Sequence, residues 1–328
     1  MPKRFPAETY SQGILAGDRL LLSRAITLVE SRLPSDAQLA AEVLQAVLPR
    51  TGNSLRVGIT GVPGVGKSTF IEAFGSYLVE RGHRLAVLAV DPTSQRSGGS
   101  ILGDKTRMEK LSLHPLAYVR PSPTGSSLGG VTASTRQAIL LCEAAGFDLV
   151  LVETVGVGQS ETAVRGMTDF FLLLMLAGAG DELQGIKRGI MEMADAILIT
   201  KADGDNAAAT RRAQADYRNA LHLFPPAPSG WTPEVLPCSA VTGRGLPETW
   251  DLLERYRQLT TRNGYFFRNR QAQNLGWMHD TIRQALEDSF YANPGIKSLL
   301  PGVEKAVEGG QTSALVAARQ LLERWQNG

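Results

Sequence analysis

One short run carries the strongest chemical signal in the chain: Gly61-Val62-Pro63-Gly64-Val65-Gly66-Lys67-Ser68. It satisfies the phosphate-binding pattern G-x-x-x-x-G-K-[ST] at every fixed position. Its glycines let backbone N–H groups turn inward around phosphate oxygens, and the start of a helix adds partial positive charge. Lys67 is expected to reach the outer phosphates. The Ser68 hydroxyl is suited to Mg²⁺, with Thr69 beside it in the first helical turn. The flanks agree. The apolar run Leu55 to Thr60 predicts a short buried strand. The stretch Ser68 to Arg81, with Phe70, Ile71, Phe74 and Leu78 at helical spacing, predicts a helix ended by Gly82.

A second constellation reads the base. Ala196-Ile197-Leu198-Ile199 predicts a strand, and Thr200-Lys201-Ala202-Asp203 follows it. The tetrapeptide is similar to the guanine-reading N-K-x-D motif of GTPases. A carboxylate at Asp203 accepts from both N1–H and the 2-amino group of guanine, whereas adenine would leave it unpaired. The Lys201 stem covers the base face. Further on, Val235 to Cys238 predicts another short strand leading into Ser239-Ala240, which matches the Ser-Ala element near guanine O6. Position 200 departs from the usual Asn. The Thr200 hydroxyl can tie this loop to the phosphate loop, but it cannot supply both donor and acceptor as an amide does.

Carboxylates and glycines at other strand ends complete the candidate chemistry. Glu153 ends an apolar strand and begins Glu153-Thr154-Val155-Gly156-Val157-Gly158-Gln159-Ser160-Glu161. A carboxylate buried there needs a cation or donors. It stands where Mg²⁺ is usually held through water, and the Gly156 N–H is placed for the γ-phosphate. Asp91 and Asp104, read alone, serve equally as a turn cap and a solvated loop charge. A third loop runs from Gly178 to Lys187.

These residues need a scaffold that gathers strand ends. From about 54 to 258 the chain alternates strand and helix patterns, with strands expected at Val57–Thr60, Leu85–Val90, Leu149–Glu153, Phe170–Leu176, Ile197–Thr200 and Val235–Cys238. Short, apolar strands of this kind predict a doubly wound, mostly parallel α/β sheet covered on both faces. The direct crossover from the phosphate-loop helix to the strand before Asp91 makes those strands parallel, as in the signal-recognition-particle class of GTPases. Residues 1–53 read as a helical extension, with Leu21, Leu22, Ala25, Ile26, Val29 and Leu33 at helical spacing. Residues 259–328 read as helical again, interrupted at Asn293-Pro294-Gly295 and Glu308-Gly309-Gly310. The last part is either a cap on the sheet or a dimerisation arm.

Composition sets limits. The chain has 328 residues, 43% hydrophobic and 20% charged, with a formal net charge of +2, which gives no reason to expect nucleic acid as a partner. Cys142 and Cys238 sit in no ligand cluster and read as buried apolar residues of a reducing compartment. The start Met1-Pro2-Lys3-Arg4 lacks the apolar core of a signal peptide, and the run Phe170 to Ala177 is too short to span a bilayer. The expectation is a cytoplasmic protein with no membrane contact.

Taken together, Gly61–Ser68, Asp91–Met108, Glu153–Glu161, Gly178–Lys187 and Lys201–Asp203 resemble the MeaB/ArgK family of P-loop GTPases, chaperones of adenosylcobalamin-dependent methylmalonyl-CoA mutase. The run Gly98-Gly99-Ser100-Ile101-Leu102-Gly103-Asp104-Lys105-Thr106-Arg107-Met108 is highly specific to that family. The resemblance implies a homodimer with a C-terminal dimer arm, GTP as substrate and GDP as product, and Mg²⁺ as cofactor. It implies a mutase partner and no directly bound cobalamin. It also implies that Ser68, Asp91, Asp104 and Glu153 surround Mg²⁺ and that Gly156, Gln159 and Lys187 sense the γ-phosphate or the partner. Ala177 stands where the family commonly has Pro. Two other readings stay open: a kinase using the same loop, for which no acceptor pocket is identified, and a metal-inserting GTPase, for which no Cys or His cluster is found.

Overall fold

The computed structural model describes residues 4–31, 33–90, 108–121, 128–154, 160–177 and 188–326. Its centre is a seven-stranded sheet of order β3-β2-β4-β1-β5-β6-β7. The strands are β1 (Leu55–Gly61), β2 (Leu85–Val90), β3 (Ala117–Arg120), β4 (Leu149–Thr154), β5 (Phe170–Leu176), β6 (Ala196–Thr200) and β7 (Glu234–Pro237). Every neighbouring pair is parallel. The expected strands all occur, with ends shifted by one or two residues. The edge strand β3 was not expected. Its sequence, Ala-Tyr-Val-Arg, is short, and only its first half is buried, so it lacks the continuous apolar run that marks a doubly covered strand.

The helices are α1 (Ala7–Leu15), α2 (Arg19–Val29), α3 (Pro34–Val47), α4 (Lys67–Val79), α5 (Glu109–Leu113), α6 (Leu128–Ala144), α7 (Ser160–Arg165), α8 (Arg188–Met193), α9 (Ala207–Leu221), α10 (Leu246–Arg262), α11 (Tyr265–Ala292), α12 (Pro294–Glu308) and α13 (Ala314–Gln326). Phe70, Phe74 and Leu78 of α4 pack with Leu252, Leu253 and Tyr256 of α10 and with Val57, Ile59 and Leu172 of the sheet. A second apolar layer joins Tyr10, Ile14, Leu22, Ile26 and Val43 to Ile139 of α6 and to Val150 and Val152 of β4. The N-terminal helices thus share a core with the sheet. Periodicity along them reveals an apolar face but not what that face covers.

Two compact units result, Met1–Gln271 and Ala272–Gly328. The sheet-bearing unit reaches past position 259, because α10 runs through that point and buries Leu252, Leu253 and Tyr256. In the second unit Asn293 caps α12 by accepting from the N–H of Gly295 at 2.8 Å, and Phe290 meets Trp325 edge-on at 5.8 Å.

The end of the sheet remote from the strand carboxyl termini is closed by buried charges. Arg56 Nε and Nη2 each donate to Glu143 at 2.8 Å. Arg270 donates twice to Asp169 at 2.7 Å and also to the carbonyls of Gly52 at 2.7 Å and Ser54 at 2.6 Å. Burial pushes the Glu143 carboxyl up, but the Arg56 bond and charge, with Arg270 and Ser54, outweigh it and hold the group below the usual carboxylate range. A depressed folded pKa contributes stability above the unfolded value and loses it as pH falls through the folded one. Glu143→Ala, which strands the buried Arg56, is expected to cost about 3–5 kcal/mol at neutral pH. The deficit should shrink in acid. Urea unfolding of both proteins at several pH values checks this, and a deficit that is constant or grows in acid contradicts it.

Candidate nucleotide site

The site lies at the carboxyl ends of the parallel strands, where an open α/β sheet binds ligands. The chain leaves β1 at Gly61 and enters α4 at Lys67. Gly64 and Gly66 hold φ of +79° and +98°, and Gly66 is the left-handed residue that starts α4. A Cβ at either position would meet nothing within 4 Å, so conformation and not space requires glycine there. Val65 is fully buried and pins the loop from within, its N–H donating to the Val62 carbonyl at 3.2 Å.

Lys67 curls back over this loop. Its Nζ donates to the Gly61 carbonyl at 2.7 Å and to that of Val62 at 3.4 Å. Burial lowers the ammonium pKa, against the opposing charges of Glu153 and Glu161. The side chain is half-buried, so it is less open than a pure ligand-facing group, and its own loop carbonyls satisfy it. Next to it, Ser68 Oγ donates to Glu153 Oε1 at 3.3 Å. Glu153 is 4% exposed at the end of β4, in register with Ile59 of β1 and Ala89 of β2. A hydroxyl and a carboxylate meeting at the phosphate loop form a hard oxygen donor pair of the kind Mg²⁺ prefers. Among the described residues no cluster of three or more His, Cys, Asp or Glu side chains occurs.

The base loops close the other side. Thr200 Oγ1 lies 2.8 Å from the Val65 carbonyl and 3.2 Å from that of Met175, so its one proton ties β6 to the phosphate loop. This is the tie expected of Thr200 in place of Asn. Lys201 takes a left-handed φ of +55°, unusual for a side-chain-bearing residue, and its Nζ donates to the Gly64 carbonyl at 3.1 Å. Asn206 Nδ2 donates to the Lys201 carbonyl at 3.3 Å. The Ser239 hydroxyl donates to Asp203 Oδ2 and accepts from the Thr242 N–H at 3.2 Å. The Ala202 N–H reaches the Cys238 carbonyl at 3.1 Å, joining the two base loops. Between them and the phosphate loop lies a cavity of about 340 Å³, lined by Val65, Gly66, Thr69, Lys201, Asp203 and Ala240 among others. That size falls within the range of small-ligand sites.

The structure therefore brings together Gly61 to Thr69, Glu153, Thr200, Lys201, Asp203, Ser239 and Ala240. Asp91, Asp104, Gly156, Gln159 and Lys187 lie outside the described residues. Two participants had no sequence signal. Asn206 acts from a short 3-10 turn, and Val241 joins the cavity wall just past Ser239-Ala240.

The geometry is that of a phosphate-loop nucleotide-binding protein. The family model described as methylmalonyl Co-A mutase-associated GTPase MeaB matches residues 22–295, and the chain belongs to this family of P-loop GTPases. A Caulobacter vibrioides protein bearing a GTPase name is 55% identical over 309 residues, 94% of this chain and 94% of that protein. The Mus musculus mitochondrial homolog of methylmalonic aciduria type A protein is 47% identical over 335 residues, 99% of this chain and 80% of that one. A crystal structure named LAO/AO transport system kinase is 38% identical with a TM-score of 0.78, covering 98% of this chain and 97% of that one. No helix among the described residues is long and apolar enough to cross a membrane.

Proposed function

We propose that this GTPase gates an adenosylcobalamin-dependent methylmalonyl-CoA mutase, controlling the loading and protection of the mutase cofactor while binding no cobalamin itself. The observation that carries the nucleotide side is the Asp203 carboxylate, oriented by Ser239 at the edge of the base cavity. The partner side is supported by the family description and by the name of the mouse relative.

In this reading the polyphosphate takes over the contacts that Lys67 now makes with its own loop carbonyls. Ser68 and Glu153, with Asp91 and Asp104, hold Mg²⁺ directly or through water. The ion would neutralise charge building on the outer phosphates. Gly156, Gln159 and Lys187 sense the γ-phosphate or the partner. Val157 follows Gly156, where Ras-like enzymes have the water-orienting Gln, so hydrolysis by the protein alone should be well below one turnover per second, by analogy with about 10⁻⁴–10⁻² s⁻¹ for unassisted GTPases. The protein acts in the cytoplasm as a homodimer. The exposed residues Leu275, Met278, Ile282 and Leu286, at helical spacing on α11, support the second unit as the dimer arm.

The test is capture of purified methylmalonyl-CoA mutase by the tagged protein without nucleotide, with GDP and with a non-hydrolysable GTP analogue. Nucleotide-dependent capture supports the gate, and no capture in any state overturns it. The relative named as a kinase raises a second reading, which predicts transfer of radiolabelled γ-phosphate to an acceptor instead of its release as phosphate.

A further inference from the structure

The phosphate loop and Glu153 reach the site from neighbouring strands, β1 and β4. The register between these strands begins with Leu55 opposite Leu149 and ends with Ile59 opposite Glu153. Beyond that point each strand is paired only on its other side. Thr60 and Gly61 stand opposite Leu173 and Leu174 of β5, and Thr154 stands opposite Val90 of β2. A seam in the ladder therefore lies between β1 and β4, where the nucleotide site begins. The hard oxygen donors straddle it. Ser68 belongs to α4, which β1 feeds, and Glu153 belongs to β4, with 3.3 Å between Ser68 Oγ and Glu153 Oε1.

One side-chain bond spans the same seam. Thr154 Oγ1 donates to Thr60 Oγ1 at 2.8 Å, and both residues are buried. Side chains alternate between the two faces of a strand. In β4, Leu149 and Leu151 share the core of α4, whereas Val150 and Val152 belong to the opposite layer with α2 and α6. Glu153 thus falls on the α4 face and Thr154 on the other. In β1, Val57 and Ile59 lie in the α4 core, and a Cβ at Gly58 would come within 2.8 Å of Val164 and Phe171 in the opposite layer. Thr60 continues the Gly58 series. The two threonines therefore join the strand ends on one face while Ser68 and Glu153 meet on the other. Away from water, such a bond keeps more of its electrostatic strength.

We propose that Thr60 and Thr154 are positioning residues for magnesium: their bond fixes the end of β4, and with it the Glu153 carboxylate, relative to Ser68. The proposal rests on the Mg²⁺ reading of Ser68 and Glu153 given above. Groups that orient metal ligands without touching the metal typically change metal affinity by about 10–100-fold.

The experiment compares wild type with Thr60→Val, Thr154→Val, the double Val variant and Thr154→Ser. The probe is mant-GppNHp, a fluorescent GTP analogue that is not hydrolysed. Its affinity is measured in EDTA and along a Mg²⁺ titration, with urea unfolding of each protein alongside. Each single Val variant is expected to raise the half-maximal Mg²⁺ concentration at least about tenfold, while affinity in EDTA stays within about twofold. Thr154→Ser keeps the hydroxyl and should stay close to wild type. The double variant leaves no hydroxyl unpaired, so it should regain stability over the single variants. Its Mg²⁺ requirement should nevertheless stay raised, because the bond is gone. It carries the test if a single variant does not fold. A Mg²⁺ requirement that returns to the wild-type value in the double variant would mark a purely structural role and overturn the proposal. So would an unmoved requirement in all the Val variants, or an equal loss of affinity in EDTA. A wild type whose affinity ignores Mg²⁺ overturns the magnesium reading, and this proposal with it.

Discussion

Asp203→Asn is expected to weaken GTP binding by about 2–4 kcal/mol, roughly 30- to 1,000-fold, and to turn preference toward xanthosine nucleotides. In the proposed base site the carboxylate would accept from guanine N1–H and from the 2-amino group. An amide at this position presents one acceptor and one donor. Its carbonyl can still accept from Ser239, which already donates to Asp203 Oδ2. The amide N–H₂ is then left toward the base, where it repels the guanine amino group and meets the 2-oxo group of xanthine. The fold should survive, because the side chain is only half-buried and the loop is also held by Ala202 and Lys201. Titration calorimetry with GTP, XTP and ATP checks the result. Equal affinity of the wild type for GTP and ATP would contradict the base assignment.

Lys67→Ala is expected to reduce hydrolysis by about 10²–10³-fold or more, since it removes a preorganised cation from the transferring phosphoryl group. Its effect on stability should be small. The ammonium is half-buried and its pKa is lowered by burial, so the folded protein holds that charge at some cost. Removing it takes one donor from the carbonyls of buried Gly61 and half-buried Val62, next to the exposed Pro63 and Gly64. Single-turnover hydrolysis together with thermal unfolding separates the two effects. Wild-type turnover in the mutant would remove Lys67 from the chemistry.

Much of this arrangement is legible in the chain because its physics is local. The phosphate loop needs glycine where φ is positive and a Lys-Ser pair at the helix start, and all of these are adjacent in sequence. Buried parallel strands read as mostly apolar runs, which is why β2, β4, β5 and β6 stand out, as does β1 from Val57 onward, past the charged Arg56. The edge strand β3 ends in Arg120 and does not. Long-range ties leave no local trace. Thr200 and Val65 are 135 positions apart, and Arg270 and Asp169 are 101 apart. Glu72 looks like any solvated helix carboxylate until α5 is seen against it. The N-terminal helices show the same limit, since an apolar stripe does not name its partner and the sheet face claimed it.

The most direct test of the gating account is steady-state GTP hydrolysis with and without purified methylmalonyl-CoA mutase, for wild type and for Lys187→Ala. The account predicts slow turnover by the wild type alone and clear acceleration by the mutase. It also predicts a smaller acceleration for Lys187→Ala, because the Gly178–Lys187 loop is assigned the coupling role. A mutase that leaves the wild-type rate unchanged would contradict the gate, and full acceleration of Lys187→Ala would take that loop out of the coupling.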